Sequence, residues 1–421
     1  MSIHIDQLLL AKKVLLLQGP MGYFFREFSF WLNEHGIETY KINFNGGDKF
    51  YFGKQENVFD FTQSIVEFKH WLTEFVVSHQ IEAIVCFGDC RPQHRIAKKI
   101  SFINGVDFFA FEEGYIRPNY ITFEQDGVNF FSNFTKILSN SQYIQPIEIE
   151  PIENTYNSYW FMVWCAILYY AANLYFAKHF PNYQHHRNLT TAQESWSWVW
   201  SLFKRIGHYV VEPPKFNRFI DQYSKQYYVF ALQVHNDSQI LIHSDLKNME
   251  EYIEHVIKSF SRFSDKEHHL VLKHHPMDRG YRNYKKLIAQ LSLKYGVVGR
   301  THYFCDIHLP TLLKHSLGMV AVNSTTVLQA LYHHIPVKVI GYAMYNLPRL
   351  TNQYPLDEFW KNPGTVDENY FNYYRSTLIQ YSQLNGSYYG QSPWMKREYL
   401  NSEKVADQQA QRLDRKRNER N

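Results

Sequence analysis

A chain of 421 residues that is 45% apolar holds enough hydrophobic material for more than one core, which excludes a fibre, a disordered tail or a single small module. Its 44 basic and 40 acidic side chains leave a formal charge of only +4, so no nucleic-acid partner is expected. The four cysteines, Cys86, Cys90, Cys165 and Cys305, fit neither a zinc ribbon nor a redox pair, so free thiols, a reducing cytoplasm and no metal are expected.

In chain order, KKVLLLQG (12 to 19) reads as a buried strand ending in a glycine loop. PMGYFFREFSFWLNEHG (20 to 36) has apolar residues at helical spacing and stops at Gly36, and IETYKINFNGGD (37 to 48) is a second strand ending in Gly-Gly. Strand, helix and strand in this order imply a parallel sheet. A helix over about 58 to 79, the strand EAIVCFGD (82 to 89), a basic helix and the strand VDFFAFEEGYIRP (106 to 118) complete one Rossmann-like half.

Residues 155 to 210 break this rhythm. YWFMVWCAILYYAANLYF (159 to 176) and WSWVWSLFKRIGHY (196 to 209) read as a helical hairpin. The first run reaches the lower length limit for a bilayer span, but its Tyr and Trp favour the membrane interface. A buried hairpin, an interfacial one and a span remain open, with Trp160, Trp164 and Tyr169 as the side chains expected to meet lipid. The start MSIHIDQLLLAKK lacks the order of an export signal, and the basic tail RLDRKRNERN is a second candidate for an anionic membrane surface.

After VEPPKF the alternation resumes. QYYVFALQVHND (226 to 237), HHLVLKHHP (268 to 276) and LGMVAVNSTTVLQALYHHIPVKVIG (317 to 341) supply strands, and helices fall at 249 to 263 and 281 to 296. The expected architecture is α/β, with two Rossmann-like domains facing across a cleft as in two-domain (GT-B) nucleotide-sugar glycosyltransferases. The boundaries are 1–150 for an acceptor domain, 151–212 for the aromatic hairpin, 213–380 for a donor domain and 381–421 for a final helix and tail. Neither GxGxxG nor GxxxxGK[ST] occurs, which argues against dinucleotide and P-loop chemistry.

Four strand-end loops carry candidate chemistry. FEEGYIRP offers Glu112, Glu113 and Arg117; LQVHNDSQ offers Gln233 and Asp237; KHHP offers Lys273, His274, His275 and Pro276; NSTT offers Asn323, Ser324 and Thr325, with Ser324 expected as the N-cap. Cations and a helix amino end suit a phosphate, and carboxylates suit a sugar carbon about to become cationic.

QGPMGYFFREF, KINFNGGD, FEEGYIRP, LQVHNDSQI, KHHPMDRG, VNSTTVLQAL and PVKVIGYAMYNLPRLTNQYPLDEFW, in this order from about 13 to about 365, resemble the bacterial capsule polysaccharide biosynthesis proteins of the KpsS/LipB type. The resemblance implies a retaining β-Kdo transferase that moves Kdo from CMP-β-Kdo to phosphatidylglycerol on the cytoplasmic face of the inner membrane, beginning the poly-Kdo linker of a capsule. It implies that CMP-Kdo is a substrate, that no cofactor is needed, and that other capsule biosynthesis and export proteins are partners.

By the same resemblance, His275 and Pro276 contact CMP, and Ser324 and Thr325 hold its phosphate. Asp237 is the covalent nucleophile, and Glu113 or Glu112 is the acid/base; Gly19, Phe24, Arg26, Trp160 and Trp164 lie on the acceptor or lipid side. Gln329 stands where many such enzymes place a ribose-binding glutamate. Another CMP-sugar such as CMP-sialic acid with a glycan acceptor, or a non-catalytic scaffold in the capsule assembly complex, are the competing readings.

Overall fold

A computed structural model describes residues 2–140, 151–183, 191–234, 246 and 248–396. The chain divides into two compact units. The first takes most of the chain up to residue 191 and regains it from Ser376; the second spans Ala192–Arg375.

The first unit holds a seven-stranded sheet. β1 (Lys13–Leu16), β2 (Glu38–Asn43), β3 (Val58–Asp60), β4 (Ala83–Phe87) and β5 (Asp107–Glu113) run parallel in the order β5-β4-β1-β2-β3. β1 and β4 are apolar almost throughout, as strands covered by helices on both faces must be. Two antiparallel strands that sequence reading did not anticipate, β6 (Tyr120–Gln125) and β12 (Gln383–Asn385), extend the sheet beyond β5.

The second unit has five parallel strands: β7 (Tyr227–Ala231), β8 (His269–Lys273), β9 (Thr301–Phe304), β10 (Gly318–Ala321) and β11 (Val337–Val339), ordered β11-β10-β7-β8-β9. In both units the chain builds outward on one side of the first strand and then returns to its other side, the doubly wound order of a Rossmann-like fold. The helix Met249–Phe263 shows why these segments fold as they do. Met249, Tyr252, Ile253, Val256, Ile257 and Phe260 recur at helical spacing and are buried, and the Asn248 side chain caps the helix by accepting from the Glu251 N–H at 2.9 Å.

Several expectations are corrected. Residues 58–60 are β3, and the following helix begins only at Ile65, after a Ser64/Glu67 capping box. Gly46 and Gly47 do not end a strand; they start the helix Gly46–Phe52, capped by Asn45.

The aromatic hairpin is not one domain. Its helix Tyr159–Tyr175 belongs to the first unit and packs on Gly46–Phe52, whereas the helix Thr191–Tyr223 falls almost wholly in the second. The latter also continues through VEPPKF, where a break was expected, with Pro213 and Pro214 inside it. Two prolines deprive the preceding turn of its N–H donors, which reads as a break; the helix persists because Phe216, Phe219 and Ile220 beyond them are buried. Among the described residues no helix is long and apolar enough to cross a membrane.

Candidate functional site

In the second unit β7 and β10 lie side by side, with Ala231 opposite Ala321, and the strand order reverses between them. Ligands of open α/β sheets bind outside the carboxyl ends at such a reversal. Just past these ends Gln233 and Asn323, both buried, bond to each other twice: the Gln233 side-chain amide donates to Asn323 Oδ1 at 2.7 Å, and the Asn323 N–H donates to Gln233 Oε1 at 3.1 Å. This clamp fixes the start of the NSTT loop. Ser324 follows, its carbonyl accepting from the Tyr345 hydroxyl at 2.7 Å and its Oγ lying 2.8 Å from Thr326 Oγ1. Helix Thr326–Tyr332 takes Thr325 rather than Ser324 as its formal N-cap, while the Ser324 hydroxyl lies against the Thr326 hydroxyl and accepts the Thr326 N–H at 3.4 Å. Asp237 lies outside the described residues.

The KHHP loop at the end of β8 divides its side chains. Lys273, expected to face the donor phosphate, is buried and donates from Nζ to the carbonyls of His274 at 3.0 Å and Cys305 at 2.5 Å. Burial lowers its pKa, and the acidic groups of Cys305, Asp306 and Glu212 oppose that. His274 turns to β9, where its Nδ1 lies 2.8 Å from the Tyr303 hydroxyl, and burial lowers its pKa to about 4. His275 stays at the strand end; its Nδ1 accepts from the Met277 N–H at 3.2 Å and caps the short turn opened by the exposed Pro276.

Sequence reading missed the polar group beside Lys273. Arg279 pairs with Asp306, donating from Nε to Oδ2 at 2.7 Å, and Lys204 donates to the Arg279 carbonyl at 2.9 Å. The Glu212 carboxylate accepts the N–H groups of Cys305 at 3.0 Å and of Asp306. His208, Cys305 and Asp306 come within reach of one metal ion, but Asp306 is already engaged by Arg279 and by His208 at 2.8 Å, and burial pushes the Cys305 thiol up to about 12. These residues fit an ion-paired strut better than a metal centre. The only signal in the sequence was the Asp next to Cys305 at a strand end.

In the first unit the two glutamates part company. Adjacent residues of a strand face opposite ways. Glu112, half-buried, puts a carboxylate oxygen 3.7 Å from where a Cβ on Gly88 would lie, over the end of β4. Its Oε1 accepts the Glu113 N–H at 3.0 Å. Glu113 is exposed, 3.7 Å from Arg117, whose Nε donates to the Gly114 carbonyl. The Tyr388 hydroxyl donates to the Glu112 carbonyl at 2.7 Å; burial, with Glu113 and Glu112 nearby, pushes its pKa well above the ordinary value.

Of the acceptor-side expectations, Phe24 is a core residue in edge contact with Phe111 and Tyr388, and Gly19 gives room to the Phe25 ring, 2.7 Å from where a Cβ would lie. Arg26 lies over the Phe30 ring. Trp160 and Trp164 are exposed and, with Ile167 and Leu174, form one stripe of their helix; Tyr169 is buried on the opposite side, so it is not a lipid-facing residue.

Comparison with known proteins places the chain. Residues 82–389 match the family model described as capsule polysaccharide biosynthesis protein. The capsule polysaccharide export protein KpsS of Escherichia coli is 38% identical over 382 residues, 91% of this chain and 98% of that protein. The capsule polysaccharide modification protein LipB of a Neisseria meningitidis serogroup A strain is 37% identical over 402 residues, 90% of this chain and 92% of that protein. Among solved structures, Thermosulfurimonas dismutans KpsC, a beta Kdo 2,7 transferase, aligns with a TM-score of 0.41 at 10% identity, covering 86% of this chain and 89% of that one.

Proposed function

The chain belongs to the capsule polysaccharide biosynthesis family, and from that premise we propose that it is a glycosyltransferase that moves Kdo from CMP-β-Kdo to phosphatidylglycerol, with retention, to begin the linker of a capsular polysaccharide. The observation that carries this reading is the Gln233–Asn323 clamp and Ser324 at the strand-order reversal of the second sheet. That is where a nucleotide phosphate finds backbone N–H groups and hydroxyls together.

In this proposal Ser324, Thr325 and His275 face the CMP phosphate. Lys273 acts one step removed: its ammonium holds the ends of β8 and β9 together through two carbonyls. An Asp237 carboxylate oxygen bonds to the anomeric carbon as the bond to the CMP phosphate oxygen breaks. The acceptor hydroxyl then attacks the same carbon, gives its proton to a glutamate and releases Asp237, so two inversions give retention. Glu112, half-buried and turned inward over Gly88, is the glutamate assigned this role in the proposal. We place the protein at the cytoplasmic membrane surface among other capsule proteins, with Trp160, Trp164 and Ile167 as interfacial anchors.

The test is incubation of purified protein with phosphatidylglycerol and either CMP-Kdo or CMP-sialic acid, followed by mass analysis of the lipid extract. Addition of one Kdo, with CMP released, is expected. A sialylated lipid would change the sugar assignment, and no lipid product from either donor would overturn the transfer.

A further inference from the structure

A cavity of the second unit lies away from the β7/β10 reversal, along the edge strand β9. It measures about 1000 Å³ and is an open groove lined by the helix Thr191–Tyr223, by β9 and by the helix Lys285–Lys294. Its walls are apolar and aromatic, with Phe219, Tyr223, Ile288, Leu293 and Val298 among them. Its charge is one-sided. The one carboxylate in its lining, Glu212, is occupied by the N–H groups of Cys305 and Asp306, and Asp306 behind it is paired with Arg279. Lys215, Arg218, Arg282 and Lys285 line the same cavity, are exposed, and form no ion pair among the described residues.

We propose that this cavity is a second ligand site, which takes an anionic amphiphile: a phosphate head against Arg218, Arg282 and their neighbouring lysines, and an apolar body against Phe219, Ile288 and Leu293. A purely polar phosphate would leave the apolar walls wet, and an apolar ligand would leave four cations unused. The surroundings suit a ligand drawn from a lipid surface. Val211, Leu293 and Val298 carry exposed apolar surface at the cavity. The inference rests on the cavity alone; with a lipid acceptor as proposed above, it would give that lipid a seat in the second unit.

The experiment is calorimetric titration of the full chain with dihexanoylphosphatidylglycerol below its micelle concentration, with dihexanoylphosphatidylcholine and glycerol phosphate as comparators. Saturable binding of the anionic lipid is expected, with each comparator at least about tenfold weaker, since each lacks one half of the recognition. Arg218→Glu with Arg282→Glu should lower the affinity at least about tenfold and leave both the melting temperature and CMP binding unchanged; Arg218→Ala with Arg282→Ala, the milder pair, should lower it in the same direction. Equal binding of glycerol phosphate would mean that a soluble phosphate is the ligand and would overturn the amphiphile. Unchanged lipid affinity in both variant pairs, parallel loss of CMP binding, or no saturable binding by the wild type would each overturn the site.

Discussion

At the carboxyl ends of the first sheet, side chains close the reversal point. Gln18, just past β1, accepts from Gln93 at 2.7 Å and donates to the Tyr169 hydroxyl at 2.9 Å; that hydroxyl also takes Asn45 at 2.8 Å and donates to Asp48 at 3.0 Å. The helix Tyr159–Tyr175 thus drives a tyrosine into the strand ends, and Gly46 and Gly47 make room for it. A Cβ on Gly47 would lie 2.4 Å from the Tyr169 ring and one on Gly46 2.3 Å from the Ala172 carbonyl. At the corresponding place in the second sheet, Gln233 and Asn323 bond to each other and the NSTT loop follows directly. Two sheets with the same winding therefore use their strand ends differently: one seats a helix, the other presents a loop suited to an anion. Topology nominates a site, and the side chains at the reversal decide whether it is used.

The largest effect that would break this contrast concerns Asp237. Asp237→Ala should abolish transfer, by at least about a thousandfold, while CMP binding persists, because the carboxylate acts on the sugar carbon. Retained transfer would remove the chemistry from the β7 loop. Next in size is Gly47→Ala, which forces the Tyr169 ring away from its partners. Overpacking of this kind costs about 1–3 kcal/mol, read as a lower denaturation midpoint; unchanged stability would mean that the first sheet's reversal is not closed as described.

Gln233→Ala breaks the clamp and strands the buried Asn323 N–H. A loss of about 1–2 kcal/mol in CMP affinity or stability is expected, measured by titration and thermal unfolding. Lys41 sharpens the first side of the contrast by pH. Its wholly buried amine donates to the Leu17 carbonyl at 3.0 Å, and burial, partly offset by Asp48 and Asp60, lowers its pKa to about 8. Above pH 8 the folded amine has released a proton that the unfolded chain still holds up to about pH 10.4, so this group makes stability rise with pH through that window. In Lys41→Met that contribution, at most about 1.4 kcal/mol per pH unit, should vanish from the unfolding profile. The smallest effect belongs to the exposed stripe. Trp160→Ser with Trp164→Ser should alter stability by less than about 0.5 kcal/mol, yet weaken flotation with anionic liposomes severalfold. Intact flotation would free the helix from any role at the membrane.

The sequence by itself determined an α/β chain with parallel strands in each half, since continuous apolar strands alternate with amphipathic helices, and the helix Met249–Phe263 could be read to the residue from its spacing; the short or edge strands β3, β6, β9 and β12, and with them the full strand order, were not legible. It also placed Gln233, Asn323 and Ser324 at strand ends, because those loops follow β-prone runs. Only tertiary structure decided where their partners lie. Lys273 and His274 read as donor ligands in a basic cluster, yet the pairing of β8 with β9 brings Cys305 and Tyr303 alongside and turns both side chains to the sheet edge. Glu112 and Glu113 were indistinguishable as a dipeptide until the strand's alternation set one inward and one out. The aromatic run at 159–175 showed almost no polar side to the sequence; packing against two glycines more than a hundred residues earlier gave it a buried face and an exposed one. Local periodicity is written in neighbouring residues, whereas the direction of a side chain depends on contacts between segments far apart in the chain.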